Sequence, residues 1–213
     1  MITEINELFT NYDNIENDDL DSTVDLVNKY YSFLINFKSD NMAQIEKIAL
    51  IFQEYFTCLN ELGRYSMIID KRPEIKSFIE KLDPQSRSFK FCYIEIEYLY
   101  ADALTSSGVE YKKAISSLSN IQKMAPENEN ISFDLNYAKL NLRRRYYSRF
   151  IIAGLAIAFV GIALRFTGDN RLFFIIDSIG FAIFVLAYLI FNLDGYLTEK
   201  RPTANKSKRC TTP

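Results

Sequence analysis

The sequence has no histidine and no tryptophan, and it has only three cysteines among 213 residues. Without histidine it lacks the commonest general base of enzymes and a frequent metal ligand. Cys58, Cys92 and Cys210 are far apart and form no Cys-x-x-Cys pair, so they predict neither a zinc site nor a disulfide framework. Phosphate-binding glycine loops, nucleophile elbows and zinc-protease motifs are also missing from the sequence. We therefore expect no enzyme, no metal and no cofactor.

A strong net charge is missing too, since the formal charge is only −2. This balance indicates no nucleic-acid partner. The N-terminal 28 residues are acidic and carry no lysine or arginine, and they lack the apolar core of a secretory signal, so the polar part is expected to stay in the cytosol. The basic charge is concentrated before an apolar run, in a segment at 143–149. Its members are Arg143, Arg144, Arg145 and Arg149. We expect this segment to contact the anionic headgroups of a lipid bilayer, with RNA as a weaker alternative.

Two long apolar runs at 150–166 and 172–193 are the clearest signal in the chain. At helical rise they span ~25 and ~33 Å, which is close to the ~30 Å hydrocarbon core of a bilayer. A short turn-forming link joins them, so we predict an antiparallel transmembrane hairpin at 150–193. Lysines and arginines lie mostly outside the hairpin, which predicts an integral membrane protein with two spans and both termini in the cytosol. Two buried helices of a water-soluble domain are the alternative.

Arg165 and Asp177 are charged residues at the linked ends of the two runs. Side chains of a helix lean toward its N-terminus, so in an antiparallel hairpin these two lean toward each other. We predict a membrane ion pair that closes the hairpin, because an unpaired carboxylate in hydrocarbon is costly. A carboxylate that lines a pore or a proton path is one alternative, and a protonated carboxyl group without a role is the other.

Small residues are expected to allow close helix packing in the hairpin. Gly154, Ala158 and Gly161 lie on one face of the first run, and Ser178 and Ala182 have a small-xxx-small spacing on the second. We favour packing within one hairpin. A homo-oligomer through the transmembrane helices is the alternative.

Helical periodicity dominates residues 1–149, which predicts an all-α fold. A capping-box pattern at Ser22 predicts one helix start, and Asp83 followed by Pro84 predicts another. The two cysteines of this region have the neighbours of small core residues. Glu95 and Glu97 are two positions apart and are expected on a solvated rim rather than in a paired site.

One segment at 100–128, "YADALTSSGVEYKKAISSLSNIQKMAPEN", resembles a tetratricopeptide repeat. The family's spacing is matched at Tyr111, Ala114, Leu118, Ile121 and Pro126. The segment "ELGRYSMI" is similar to the turn of another repeat. The resemblance implies a protein-binding scaffold with a concave surface, and a generic helical bundle is the alternative.

These patterns predict a cytosolic repeat-like antiparallel helical domain at 1–142, the basic segment at 143–149, the transmembrane hairpin at 150–193 and a basic tail at 194–213. The expected function is to recruit or sense a protein partner on the helical-repeat surface, at the cytosolic face of a membrane. The alternative function is a pore-forming effector that permeabilises the membrane, with the polar domain as its sensor or oligomerisation module.

Overall fold

The structure is a computed structural model that describes residues 2–16, 19–108, 110–165 and 170–199. Over these residues the protein is all-α and has no strand, as its periodicity predicts. The helices are α1 (Ile2–Asp13), α2 (Leu20–Ile35), α3 (Met42–Glu61), α4 (Tyr65–Ile79), α5 (Arg87–Ser106), α6 (Tyr111–Met124), α7 (Glu129–Arg165) and α8 (Asn170–Glu199). The chain divides into two compact units, Met1–Leu135 and Asn136–Pro213.

The first unit is an antiparallel array of helix pairs. From α1 to α6, each helix packs against the next one in the chain. In addition, α3 packs against α5 and α2 packs against α4. Contacts between next-but-one helices place α3 and α5 in one layer and α2 and α4 in another. This two-layer arrangement is typical of stacked helix-pair repeats.

The pairs α3–α4 and α5–α6 repeat the same construction. Both α3 and α5 have 20 residues, and each is followed by a glycine with positive φ, Gly63 at 68° and Gly108 at 69°. A side chain would be strained in this conformation, so glycine is required at both turns. Asn41 and Ser86 cap the two helices with their side chains. The glycines are 45 positions apart (108 minus 63), and so are the caps (86 minus 41).

Aromatic side chains fill the core between α3 and α4. Phe52, Tyr55 and Phe56 of α3 are fully buried. The ring of Phe52 packs edge-on against that of Phe78 of α4, with 5.3 Å between centroids. Full burial of one such side chain stabilises the fold by roughly 1.5–3 kcal/mol.

Helix α2 begins earlier than its sequence pattern predicts. Asp19 is the N-cap, and its carboxylate accepts a hydrogen bond of 3.0 Å from the backbone N–H of Ser22. The prediction that Ser22 starts the helix is therefore wrong. The acidic run before Ser22 offers several oxygens that can cap a helix, and a carboxylate one turn earlier satisfies the free N–H groups equally well.

Helix α5 begins later than predicted. Its N-cap is Ser86, whose hydroxyl accepts a hydrogen bond of 3.0 Å from the N–H of Phe89. Asp83 instead accepts from the N–H of Gln85 and forms a local turn that contains Pro84. Asp-Pro patterns start turns as readily as helices, which explains the error.

The second unit contains most of α7 and all of α8. Both helices are long and apolar enough to cross a membrane by length and composition, with mean hydropathies of 1.7 and 2.4 over their most apolar stretches. Helix α7 continues without a break through the basic segment at 143–149. The predicted tail at 194–213 is helical as far as Glu199, and the rest of it lies outside the described residues.

Candidate functional site

Helices α7 and α8 meet in an antiparallel hairpin whose backbones touch. A Cβ atom added to Gly180 would lie 2.5 Å from the backbone nitrogen of Ala158. One added to Gly161 would lie 2.9 Å from the backbone nitrogen of Asp177, and one added to Gly154 would meet α8 just as closely. Real Cβ atoms do not approach so closely, so the packing depends on glycine at these three positions.

The predicted small residues of the two helices differ in their placement. Gly154, Ala158 and Gly161 lie on the face of α7 that contacts α8. Ser178 and Ala182 are exposed on α8, and Gly180 takes the contact position between them. The reason is helical rotation, since residues two positions from Gly180 point about 200° away from it.

The predicted ion pair is described only on one side. The backbone of Asp177 lies against Gly161, on the contact face of the hairpin. Arg165 ends α7 one turn after Gly161, and its side chain lies outside the described residues, as does the link at 166–169. The pair between Arg165 and Asp177 therefore stays a prediction.

The four arginines of the basic segment occupy two kinds of environment. Arg143, Arg145 and Arg149 are exposed. Arg144 is partly buried, and its guanidinium carbon lies 5.8 Å from the centre of the Phe191 ring of α8. Its Nε is buried and has no hydrogen-bond acceptor among the described residues.

The residues that resemble a tetratricopeptide repeat lie on and beside α6. Ala114, Leu118 and Ile121 are buried on the face of α6 that packs against α5. Tyr111 is the first residue of α6, and Pro126 is exposed in the turn that follows it. A small alanine at the helix crossing is consistent with this packing, and a generic helix pair has the same requirement.

A buried charge cluster joins α4, α5 and α6, and the sequence did not predict it. Glu97 was expected on a solvated rim, but only 3% of its surface is exposed. Its Oε1 accepts hydrogen bonds from Arg72 Nη2 at 2.5 Å and Nε at 3.0 Å, and it lies 3.5 Å from Lys76 Nζ. Its Oε2 accepts from the hydroxyl of Ser117 on α6. The expectation for Glu97 is therefore wrong.

Each cation of this cluster lies near one aromatic ring. Arg72 lies over the ring of Tyr100 at 4.7 Å, and Lys76 lies 5.2 Å from the ring of Tyr93. Burial opposes the charge of Lys76, but its hydrogen bond with Tyr93 and the charge of Glu97 raise the pKa of its ammonium group above the ordinary value. The hydrogen bond with Tyr93 and the charge of Glu97 thus both stabilise the charged form of Lys76.

Comparison of the pairs α3–α4 and α5–α6 shows which residue is equivalent to Glu97. The 45-residue offset between the two pairs aligns Glu97 of α5 with Phe52 of α3 (97 minus 45), and both side chains are buried. The first pair thus has an aromatic ring where the second has a carboxylate with its two cations. This comparison of the two pairs is the signal that could have located the cluster.

Two partly buried carboxylates of α3 and α5 are held by side-chain hydrogen bonds. Tyr12 of α1 donates to Glu54, and Asn60 donates to Asp102 at 3.2 Å. Burial, together with neighbouring carboxylates, raises the pKa of the Cys58 and Cys92 thiols to about 11. Both thiols are therefore unreactive core groups at neutral pH.

The opposite layer has an open groove between α2 and α4, with a volume of about 720 Å³. Its walls include Tyr31, Pro73 and Phe78, and Lys81 reaches across it toward the carbonyl oxygen of Ile35 at 3.4 Å. Its lining combines polar and apolar side chains. Within the described residues no three His, Cys, Asp or Glu side chains are grouped as metal ligands.

No protein-family model, curated protein or solved structure matches this chain.

Proposed function

We propose that this chain is a membrane-anchored helical-repeat scaffold that holds a protein partner at the cytosolic face of a membrane. The observation that carries the proposal is the exposed apolar surface of the α7–α8 hairpin. Phe159 is 74% exposed and Phe181 is 63% exposed, although both lie in the most apolar part of the sequence. Water-soluble surfaces rarely leave such contiguous apolar area uncovered, and hydrocarbon tails would cover it.

The helix-pair array supports the scaffold part of the proposal. Stacked helix pairs bury a continuous core and present extended surfaces to partners. The groove between α2 and α4 is one such surface of the first unit. The repeat length of 45 residues exceeds the 34 residues of a tetratricopeptide repeat, so the resemblance concerns the helix-pair principle rather than the length.

The distribution of basic residues supports the orientation. Arg143, Arg144, Arg145 and Arg149 precede the hairpin, and five lysines and arginines follow α8. Under the positive-inside rule both termini then face the cytosol, together with the first unit. The lipid bilayer and its anionic headgroups are the second partner, and no nucleic acid is required.

Membrane extraction tests the anchor. We expect the full-length protein to stay in the membrane pellet after alkaline carbonate and to dissolve in detergent. Release by carbonate would contradict the anchor. A variant with charges at two exposed apolar positions, Phe159→Asp and Phe181→Asp, should shift the protein to the soluble or aggregated fraction, because each charge at the bilayer centre costs about 2.5–3.5 kcal/mol.

Cysteine labelling tests the orientation. In a variant without native cysteines, a cysteine at Asn170 should react with a membrane-impermeant maleimide from the non-cytosolic side in sealed vesicles. A cysteine at the exposed position Glu61 should react only from the cytosolic side. The reverse pattern would contradict the orientation.

Site-specific crosslinking tests the partner surface. A photo-crosslinking residue at Ser77, in the α2–α4 groove, should trap one discrete protein in the native host. The same residue at the exposed position Asn120 of α6 is the control outside the groove. Equal, diffuse crosslinking at both positions would contradict a dedicated partner groove.

A further inference from the structure

Arg144 is a partly buried charge of the second unit whose Nε has no hydrogen-bond acceptor among the described residues. Its Nε is buried without a hydrogen bond, and its described aromatic neighbour is Phe191. A guanidinium group has five N–H donors, and a charged donor without an acceptor is costly. A cation–π contact at 5.8 Å offsets only a small part of that cost.

The position of Arg144 along α7 fits the headgroup layer of a bilayer. It precedes Phe150, where the exposed apolar surface begins, by six residues (150 minus 144), which is about 9 Å at helical rise. The headgroup layer is roughly 5–8 Å thick on each side of the hydrocarbon core. The long side chain of an arginine bridges the remaining distance.

The charges around Arg144 favour an anion. Arg143 and Arg145 flank it and are exposed, and the sequence has no Asp or Glu between Asp134 and the end of α7. On α8 the nearest acid by the hairpin register is Asp194, whose side chain lies outside the described residues. A guanidinium pairs with phosphate through two parallel N–H···O bonds, which an ammonium group cannot reproduce.

We propose that Arg144, flanked by Arg143 and Arg145, binds the phosphate group of an anionic lipid headgroup between α7 and α8. The inference rests on the proposed membrane anchor and adds a specific ligand to it. The ring of Phe191 lies 5.8 Å from the guanidinium carbon, and the lipid phosphate supplies the missing acceptor of the Nε. If the four arginines attracted anionic headgroups only through their charge, each position would contribute equally. A phosphate site at Arg144 instead requires the guanidinium geometry at that one position.

Charge-conserving substitutions separate a built site from diffuse attraction. Full-length protein in detergent is titrated with phosphatidylglycerol and with phosphatidylcholine of equal chain length, and lipid adducts are counted by native mass spectrometry. We expect Arg144→Lys to weaken phosphatidylglycerol binding roughly tenfold, the loss of one charge-assisted hydrogen bond. The matched control Arg149→Lys, at an exposed position, should stay within about twofold. Equal effects at the two positions would overturn the proposal.

Three further measurements complete the test. Competition by millimolar inorganic phosphate in the absence of lipid would assign the site to a soluble anion and overturn the lipid assignment. If Asp194→Asn and Arg144→Gln lower the melting temperature equally and neither changes lipid selectivity, the two residues form an ion pair and the proposal fails. All variants should remain in the carbonate-resistant pellet; release of the wild-type protein would contradict the anchor itself rather than this site.

Discussion

In the cluster around Glu97, we expect the loss of the two cations to destabilise the fold more than the loss of the carboxylate, because the cations are partly exposed and the carboxylate is buried. In Glu97→Leu the carboxylate is lost, but 23% of the Arg72 side chain and 26% of the Lys76 side chain are exposed. Both cations can turn their charged ends toward water. The cost is the lost charge-assisted hydrogen bonds, about 1–3 kcal/mol in free energy of unfolding.

The opposite change leaves the charge with no route to solvent. In the double variant Arg72→Met, Lys76→Met, a carboxylate that is 3% exposed keeps, among the described residues, the hydroxyl of Ser117 as its one donor. Removing the partners of a buried charge costs about 3–5 kcal/mol. The triple variant that also carries Glu97→Leu should recover most of this loss, since apolar residues of similar volume often replace a buried ion cluster without net cost.

Urea unfolding of the fragment 1–142, followed by circular dichroism, measures these differences. The fragment itself should give a helical spectrum, because the apolar faces of its helices need only each other; a strand-dominated or disordered spectrum would contradict this. The double variant should lower the urea midpoint by roughly 2 M relative to wild type. If Glu97→Leu proves more destabilising than the double variant, the reasoning from exposure is refuted.

Three other changes have definite expected outcomes. Gly180→Leu should lower the melting temperature of the full-length protein in detergent because its Cβ would clash with backbone, whereas Ala182→Leu at an exposed position should not; equal shifts would contradict the hairpin packing. The buried cysteines have thiol pKa values raised from 9.0 to about 11, so their contribution to stability is complete below pH 9 and is lost as pH rises through about 11. Iodoacetamide at pH 8 should label them only after unfolding, and rapid labelling of the folded protein would contradict their burial. If Arg165 and Asp177 close the hairpin, Asp177→Asn should keep a higher protein level in the membrane than Arg165→Leu, because the second change leaves a carboxylate in hydrocarbon without a partner, at a cost of ~2.5 kcal/mol or more. A pore predicts a different result: the wild-type protein depolarises the membrane, and Asp177→Asn inserts normally but no longer does so.

The sequence predicts helices well here because helix formation is periodic and local. The apolar faces of α3 and α5 recur at helical spacing, and the end of α5 two residues before Gly108 follows from the positive φ of that glycine. The exact first residues of α2 and α5 were harder to predict. Several Asp and Ser side chains near each start can cap a helix, and the choice among them depends on which backbone N–H groups the array leaves free.

The charge cluster was missed for a different reason. Glu95 and Glu97 look alike in sequence, and their fates are set by which face of α5 meets α4 and α6. The cations that stabilise Glu97 come from α4, 25 and 21 positions earlier in the chain (97 minus 72, 97 minus 76). A local pattern carries no information about partners at that separation. Only the alignment of Glu97 with Phe52, which requires the repeat to be recognised first, marks the position as core.

The hairpin shows which of the small residues expected to pack lie at the contact between its two helices. Ser178 and Ala182 satisfy a small-xxx-small spacing, yet both have a Cβ and both are exposed. Gly180 lies between them and has none, so it alone lets the backbone of α8 approach the backbone at Ala158 within contact distance. Where two helices touch backbone to backbone, the absence of a Cβ decides the rotation of the helix more strongly than a spacing of small side chains. The same rotation brings Asp177 to Gly161, one turn from Arg165. Gly180, which the spacing rule does not select, therefore also determines where Asp177 lies in the hairpin.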